Sequence, residues 1–468
     1  MATFIKKIDS FFTLFIQAIK GDVKDFTKGS IDKAIFLLAV PMILEMVLES
    51  LFAVVDIYFV NKVGIEASST VILTEASLSI LYSVAWGLSI GVTALVARRA
   101  GEKNFTAASD IAVQAILLGT CLSLLISIIG FIFPKEILML MGATPAVAAE
   151  NYLFTQIMLT GNIVIVLLFV NNAIFRGAGN ASIAMWVLLV ANAINIVLDP
   201  LLIMGVGPFP KLGVVGAAVA TTTGRAIAVL VQFYFLFNGK SLIRIAVRQL
   251  KFNFKLIGNI LKTSSGGMFQ FIIGSCSWIF LAMIIAESGT AAVSGYGTAI
   301  RICIFTILPA WGLANAAATL VGQNLGAGHP ERAERSVWRT AFLTFCFFAV
   351  VAVIFFVFGE NLMRFFIQDK TAVAEGTKCL HILAIGYVFF AYGMIISQAF
   401  NGAGDTRTPT YINLFVFWLL QIPLAYFMSK YLEMGTAGVY IAIGVAETVL
   451  AIVGIIIFRK GNWKMVKV

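Results

Sequence analysis

Charged residues are scarce in this sequence. Of its 468 residues only 12% are Asp, Glu, Lys or Arg, whereas 60% are hydrophobic. A soluble domain carries roughly a quarter charged residues, so this chain has too few charges to cover a water-exposed surface of its size. The scarcity excludes an ordinary soluble protein and predicts that a lipid bilayer is the solvent.

The sequence also lacks the side-chain patterns of metal sites, disulfide frameworks and most enzymes. Its two histidines, His329 and His381, are far apart, and its five cysteines show no Cys-x-x-Cys spacing. The Gly-Lys-Ser segment at 239–241 resembles the end of a phosphate-binding loop, but Tyr234 occupies the place of the required upstream glycine. We therefore predict no cofactor and no enzymatic activity.

Long hydrophobic runs separated by short polar loops fill most of the chain. A membrane span needs about 20 apolar residues, and in lipid only helices and closed barrels satisfy the backbone hydrogen bonds. These runs are too long for barrel strands. We predict an all-α polytopic protein with twelve transmembrane helices, near residues 33–60, 68–97, 107–133, 148–175, 181–204, 213–238, 258–286, 290–321, 331–358, 373–401, 408–432 and 435–458.

The basic residues lie mostly on one side of the predicted spans. Most of the 33 Lys and Arg side chains fall in the N-terminal segment, in loops on the same side, or in the C-terminal tail. Because cytoplasmic loops carry the excess of positive charge, we predict a multi-pass protein of the inner membrane with both termini cytoplasmic. The basic residues are dispersed without interleaved aromatics, which excludes a nucleic-acid-binding surface.

The two halves of the sequence repeat each other. Gly101 aligns with Gly326 at a shift of 225 residues, and residues 175–180 align with residues 400–405 at the same shift. Each unit contains six spans, an even number, so both units enter the membrane from the same side. This arrangement is a parallel repeat, with two lobes related by an axis along the membrane normal.

The repeat divides the chain into five predicted segments. The N-terminal segment carries apolar side chains at helical spacing beside lysines, a pattern typical of a helix lying on a membrane surface. The segments are a cytoplasmic amphipathic segment at 1–32, an N-lobe at 33–238, a basic linker at 239–257, a C-lobe at 258–458 and a cytoplasmic tail at 459–468.

Ionisable side chains within the spans are few. Each costs about 2.5–3.5 kcal/mol to insert, so such residues are functional candidates by default. Six of the eight belong to the first half, which predicts that the N-lobe hosts the ion chemistry. The eight are Glu45, Glu49, Asp56, Glu75, Asp199, Arg225, Arg301 and Glu447.

Three of these acids share one face of the first predicted helix. Glu45, Glu49 and Asp56 fall within about 40° of one another around an α-helix. Side chains facing lipid would be left unsatisfied, so we expect this stripe to line a water-filled cavity. Carboxylates gathered in a low-dielectric cleft repel one another, and at least one is expected to hold a proton near neutral pH.

The fifth predicted helix carries a second polar stripe, formed by Asn192, Asn195 and Asp199. We expect both stripes to face the same cavity, where a cationic substrate and a proton compete for one negative field. Asn195 and Thr221 add neutral oxygens, which with Asp56 and Asp199 would also suit a sodium ion. Proton and sodium both remain open as the coupling ion.

A structural salt-bridge network is the alternative interpretation of these charges. Arg225, in the sixth predicted span, is placed to neutralise Asp199 or Glu75. Arg301 and Glu447 are interpreted as pairs within the C-lobe or at the interface between lobes.

The sequence resembles the multidrug and toxic compound extrusion (MATE) family, and its DinF-like branch best. The resemblance is carried by the first span from Pro41 to Asp56, the segment 195–200 that reads Asn-Ile-Val-Leu-Asp-Pro, the segment 213–221, and the paired Gly-Ala-Gly loops. It implies a V-shaped, twelve-helix antiporter that exports cationic or amphipathic small molecules by alternating access, driven by inward flow of H⁺ or Na⁺. In DinF-like members the coupling residues stand at the positions of Asp56, Asn195, Asp199 and Thr221.

The resemblance leaves other residues and one other function open. The candidates for the substrate cavity are Glu45, Glu49, Glu75, Asn192 and Arg225. The chain lacks the acids that the NorM branch carries in its seventh and tenth spans, and Gln270 lies in that region. The alternative function is a flippase for lipid-linked or polymer precursors. The expected partners are a small-molecule substrate and membrane lipid, and the expected assembly is a monomer.

Overall fold

The computed structural model describes residues 2–21, 25–61, 63, 65–239 and 241–468, and it describes the backbone alone for residues 2–10, 53, 57, 61, 65, 66, 68 and 247. All regular elements in these ranges are helical. The described residues form twelve helical spans that are long and apolar enough to cross a membrane, so the predicted all-α polytopic architecture is confirmed. The predicted Gly-Lys-Ser segment includes Lys240, which lies outside the described residues.

The N-lobe follows an amphipathic helix at the N-terminus. Its fourth span is built from two helices, α6 and α7, which meet at Gly161. The helices are α1 (Ala2–Lys20), α2 (Ile31–Asn61), α3 (Ile65–Gly101), α4 (Phe105–Ile132), α5 (Pro134–Leu140), α6 (Pro145–Thr160), α7 (Asn162–Gly177), α8 (Ala181–Met204) and α9 (Val214–Phe237).

The C-lobe repeats this order. Its fifth span is irregular, because π-helical stretches at Leu414–Gln421 and Phe427–Tyr431 interrupt the α-helix around Pro423. The helices are α10 (Phe254–Ala286), α11 (Thr290–Gly326), α12 (Pro330–Phe366), α13 (Lys370–Ala403), α14 (Arg407–Asn413), α15 (Ile422–Tyr426) and α16 (Thr436–Arg459).

Each lobe buries its own core. One cluster of buried side chains runs from Val60 to Ile260 and another from Leu281 to Trp463. The segment between the lobes packs on the N-lobe: Ile243 and Ile245 join its core, and the Gln114 amide donates to the backbone oxygen of Lys251 at 2.8 Å. Large apolar side chains also remain exposed along the outer helices, as expected where lipid replaces water.

The seam between the lobes shows the repeat as a two-fold arrangement. Gly87 of α3 packs against the backbone of Met268 in α10, and Gly312 of α11 packs against the backbone of Ile43 in α2. The shift of 225 residues relates Gly87 to Gly312 and Ile43 to Met268, so the two contacts are equivalent. A side chain at either glycine would overlap the facing backbone, so glycine sets how closely the lobes approach. The predicted parallel repeat is thereby confirmed.

The lobes meet at one end of the bundle and separate at the other. The seam glycines lie in the second halves of α3 and α11, which face the first halves of α2 and α10. A buried cluster that joins α2 to α11 lies at the same end. We call this end the terminal face, because the C-terminal Val468 and the segment that precedes α2 lie there. The V therefore opens away from the terminal face.

Candidate functional site

Four predicted residues form one polar cluster in the N-lobe. Asn195 and Asp199 lie one turn apart on α8, and the Asn195 amide nitrogen lies 3.3 Å from both the Asp199 carboxylate and the Thr221 hydroxyl of α9. Asp56 of α2 is close enough for its charge to act on Asp199. The structure thus brings Asp56, Asn195, Asp199 and Thr221 together, and we call this set the coupling cluster.

The coupling cluster has more acceptors than donors. Oδ1 of Asp56, Oδ1 of Asn195 and Oδ2 of Asp199 are buried and accept no hydrogen bond from any described residue. Buried polar atoms are almost always hydrogen-bonded, so three such oxygens on neighbouring helices call for a donor or a cation. A proton on one carboxyl group would supply a donor, and a sodium ion would be coordinated by these oxygens.

Arg225 lies beside the coupling cluster but faces a different acid from the one predicted. Its guanidinium is 3.8 Å from the Glu49 carboxylate, donates to the Tyr82 hydroxyl at 3.3 Å and lies 5.1 Å from the centre of the Phe52 ring. No ion pair joins Arg225 to Asp199 or Glu75 in the described part of the chain, although the charge of Arg225 acts on Glu75. The reason is that Arg225 lies one turn beyond Thr221 on α9 and points at α2.

Glu75 and Asn192 occupy separate positions around this arginine. Glu75 of α3 is exposed and makes no ion pair with a described residue, although it lies within electrostatic reach of Arg225 and Asp56. Asn192 donates to the backbone oxygen of Leu48 at 2.7 Å. Asn192 therefore links α8 to α2 near the coupling cluster.

Glu45 belongs to a second polar group that the sequence did not reveal. Its carboxylate accepts from Arg176 and Asn172, each at 3.0 Å, and both members of the ion pair are almost completely buried. Gln232 donates to the Asn172 amide oxygen at 2.6 Å. Eleven residues separate Glu45 from Asp56, or about 16 Å along an α-helix, so Glu45 lies apart from the coupling cluster.

The predicted fourth span ends at residue 175 and leaves Arg176 just outside it. In the structure it is the penultimate residue of α7 and lies 3% exposed. The available signal was its alignment in the repeat with Asn401, which the predicted tenth span at 373–401 includes.

The C-lobe has a neutral counterpart of this ion pair. Gln270 and Asn401 are the residues that the repeat relates to Glu45 and Arg176, and they exchange amide hydrogen bonds at 3.0 and 3.1 Å. Arg301 is exposed, and neither it nor Glu447 pairs with an opposite charge within the described ranges. The predicted C-lobe ion pairs are therefore not found there.

Aromatic rings close the floor of the cleft between the lobes. Trp86 and Trp311, which the repeat relates to each other, have ring centres 6.0 Å apart, and Phe271 contacts both. The two tryptophans border a cavity of only about 10 Å³ together with Arg176 and Asn401. The floor is therefore shut towards the terminal face.

Comparison with known proteins relates this arrangement to one family. The model of the MatE family matches twice, at residues 41–201 and 268–427. The chain is 26% identical to the Bacillus subtilis protein named "Probable multidrug resistance protein YoeA", over 89% of this chain and 90% of that protein. It is 27% identical to the Thermotoga maritima protein named "Probable multidrug resistance protein NorM", with 93% of each covered.

Solved structures show the same fold. A structure described as the outward-facing conformation of a multidrug resistance MATE family transporter superposes with a TM-score of 0.87. It is 26% identical and the match covers 94% of this chain and 98% of that one.

Proposed function

The chain belongs to the MatE family, and from that membership we propose that it is a secondary active antiporter that exports cationic or amphipathic small molecules in exchange for H⁺ or Na⁺. The names of its relatives support multidrug efflux as the class of transport. The similar solved structure is described as a transporter, which also supports a non-enzymatic role. We propose that it acts as a monomer in the inner membrane, without a cofactor.

The observation that carries the proposal is the set of unsatisfied oxygens in the coupling cluster. Asp56 and Asp199 approach each other within a low-dielectric helix bundle, where two negative charges are costly unless a cation neutralises them. A bound H⁺ or Na⁺ provides that neutralisation. A cationic substrate approaching along the cleft can do the same, so ion and substrate displace each other.

The shape of the molecule supplies the second requirement of antiport, which is access from one side at a time. We propose that the terminal face is cytoplasmic, because the basic residues concentrate there. The described conformation is then outward-open. Rocking of the two lobes about their seam would close the cleft outside and open it at the terminal face.

We test the coupling assignment with purified protein in lipid vesicles. An imposed H⁺ or Na⁺ gradient is expected to drive uptake of a cationic dye, and Asp56→Asn or Asp199→Asn is expected to lower the rate at least tenfold, because an amide cannot carry the charge that binds the ion. Glu360→Gln is the matched control, since Glu360 is an exposed acid paired with Arg364 in the other lobe.

Three results would contradict the proposal. Undiminished gradient-driven transport in both Asp variants would remove the coupling cluster from the mechanism. Dye entry in the absence of every ion gradient would indicate a passive channel. Movement of a lipid-linked sugar without movement of any dye would favour the flippase.

A further inference from the structure

The lobe repeat places an acid in the C-lobe where the N-lobe has an arginine. The last helices of the two lobes align at a shift of 222 residues, which relates Gly213 to Gly435 and Arg225 to Glu447. The structure keeps this register, because Gly161 packs on Thr222 in one lobe and its counterpart Gly386 packs on Gly444 in the other. Glu447 of α16 therefore occupies the C-lobe position equivalent to Arg225.

A small cavity in the C-lobe surrounds this acid. It measures about 20 Å³, room for roughly one water molecule. The repeat relates two of its lining residues, Ile300 and Ile443, to Glu75 and Thr221 beside the coupling cluster. The cavity is thus the C-lobe equivalent of the N-lobe ion site, with most of its polar groups replaced by hydrocarbon.

Glu447 is the acid of this cavity, and it has no charged partner there. Its Oε2 atom is buried without a hydrogen bond, and no Lys, Arg or His lines the cavity. The other titratable groups facing it are the Tyr387 hydroxyl of α13 and the Cys303 thiol of α11, which lie close to each other. Trp278 is the residue that α10 contributes, and it carries no ionisable group.

An unpaired carboxylate in such surroundings is strongly disfavoured. The group is stable there only as the neutral acid or beside a bound cation, and in this conformation the cavity is too small for any organic cation. Part of the Glu447 side chain nevertheless remains accessible.

We propose that Glu447 is a second proton-binding site, in the C-lobe, which releases its proton to water when cationic cargo or water widens this cavity and regains it when the cavity closes. The inference rests on the proposed antiport function, because proton exchange at Glu447 contributes to transport only if the lobes rock. One O–H bond of the carboxyl group breaks on release, and the proton passes to water.

The test measures protons directly. Purified full-length protein in lipid nanodiscs is mixed with tetraphenylphosphonium in weak buffer, and the protons released on binding are counted with a pH indicator. Wild type is expected to release more protons per bound cation than Glu447→Gln. Glu447→Asp is expected to release as many as wild type. The double variant Asp56→Asn/Asp199→Asn is expected to keep the part of the proton release that depends on Glu447.

Infrared spectroscopy provides a readout that needs no cargo. The carboxylic C=O band present in wild type and absent from Glu447→Gln is expected to diminish as the pH rises. A band that changes neither with pH nor with tetraphenylphosphonium would show a locked structural carboxyl group, and equal proton release by wild type and Glu447→Gln would also overturn the inference. Failure of gradient-driven transport in wild type would instead contradict the antiport proposal, since neither measurement here uses a gradient.

Discussion

At the scale of single residues, the two lobes differ more in charge than in shape. The repeat sets Glu45 and Arg176 against Gln270 and Asn401, and both pairs bridge the first and fourth spans of their lobe. The two lobes therefore share the position of this contact, but the N-lobe pair is charged and the C-lobe pair is neutral. A buried ion pair is weak support for stability, since desolvation offsets most of the Coulomb attraction.

This comparison leads to a prediction about stability. Arg176→Asn leaves the Glu45 carboxylate buried without its cation and is expected to cost about 3–5 kcal/mol. Adding Glu45→Gln recreates the amide pair of the C-lobe and is expected to recover most of that loss. The thermal unfolding midpoint of the purified protein measures both steps, and a double variant no more stable than Arg176→Asn would refute the equivalence of the pairs.

The residues of the coupling cluster could be predicted because polar groups are conspicuous in apolar spans. Asp56, Asn195 and Asp199 followed from the polar faces of their helices, and the resemblance to the MATE family added Thr221. The partner of Arg225 could not be predicted, since helix periodicity gives the direction of a side chain but not the rotation of α9 relative to α2.

At the scale of helices, hydropathy predicted where the spans lie but not how they deviate from regular helices. The span at 181–204 was predicted as α8 has it, because polar turns bound it on both sides. Predicted helix ends fell short where α12 continues to Phe366 through residues that resemble a loop in composition. The π-helical stretches around Pro423 were also missed, since they leave the apolar pattern unchanged.

The seam glycines allow a prediction at this scale. Gly312→Leu would push α11 away from the α2 backbone, and overpacking of this kind costs about 1–3 kcal/mol. We expect the ratio of closed to open terminal face to fall about 5- to 150-fold, because about 1.4 kcal/mol corresponds to a factor of ten.

The measurement is the distance between spin labels placed on the two lobes at the terminal face. Gly297→Leu is the matched control, because Gly297 lies in the same helix with no atom near its absent side chain. An equal shift in both variants would mean that helix propensity, not the seam, determines the conformation.

At the scale of the whole molecule, the segments near the two ends of the chain form hydrogen bonds with the opposite lobe. Arg332 of α12 donates to the backbone oxygens of Phe26, Lys28 and Gly29 ahead of α2. In the opposite direction, Arg99 of the N-lobe donates to the backbone oxygen of Val468 at 2.9 Å. These contacts span the seam at the closed end, so opening that end must break or stretch them.

We therefore predict that Arg332→Ala favours opening of the terminal face. Cysteine labelling at the seam, in a background without native cysteines, is expected to become several times faster from that side. Arg335→Ala serves as the control, because Arg335 lines the same surface depression as Arg332 and makes no hydrogen bond or ion pair with the described part of the chain. An unchanged labelling rate in Arg332→Ala would show that these hydrogen bonds form when the terminal face closes but do not stabilise the closed state.

Self-contained cores and a self-complementary seam have a consequence for the chain's connectivity. The described part of the stretch joining α9 to α10 packs on the N-lobe, so it holds the lobes near each other without shaping their contact. Cutting the gene between these helices and co-expressing the two fragments should yield half-proteins that find each other in the bilayer, and the same surfaces would have let an unduplicated ancestor pair with itself.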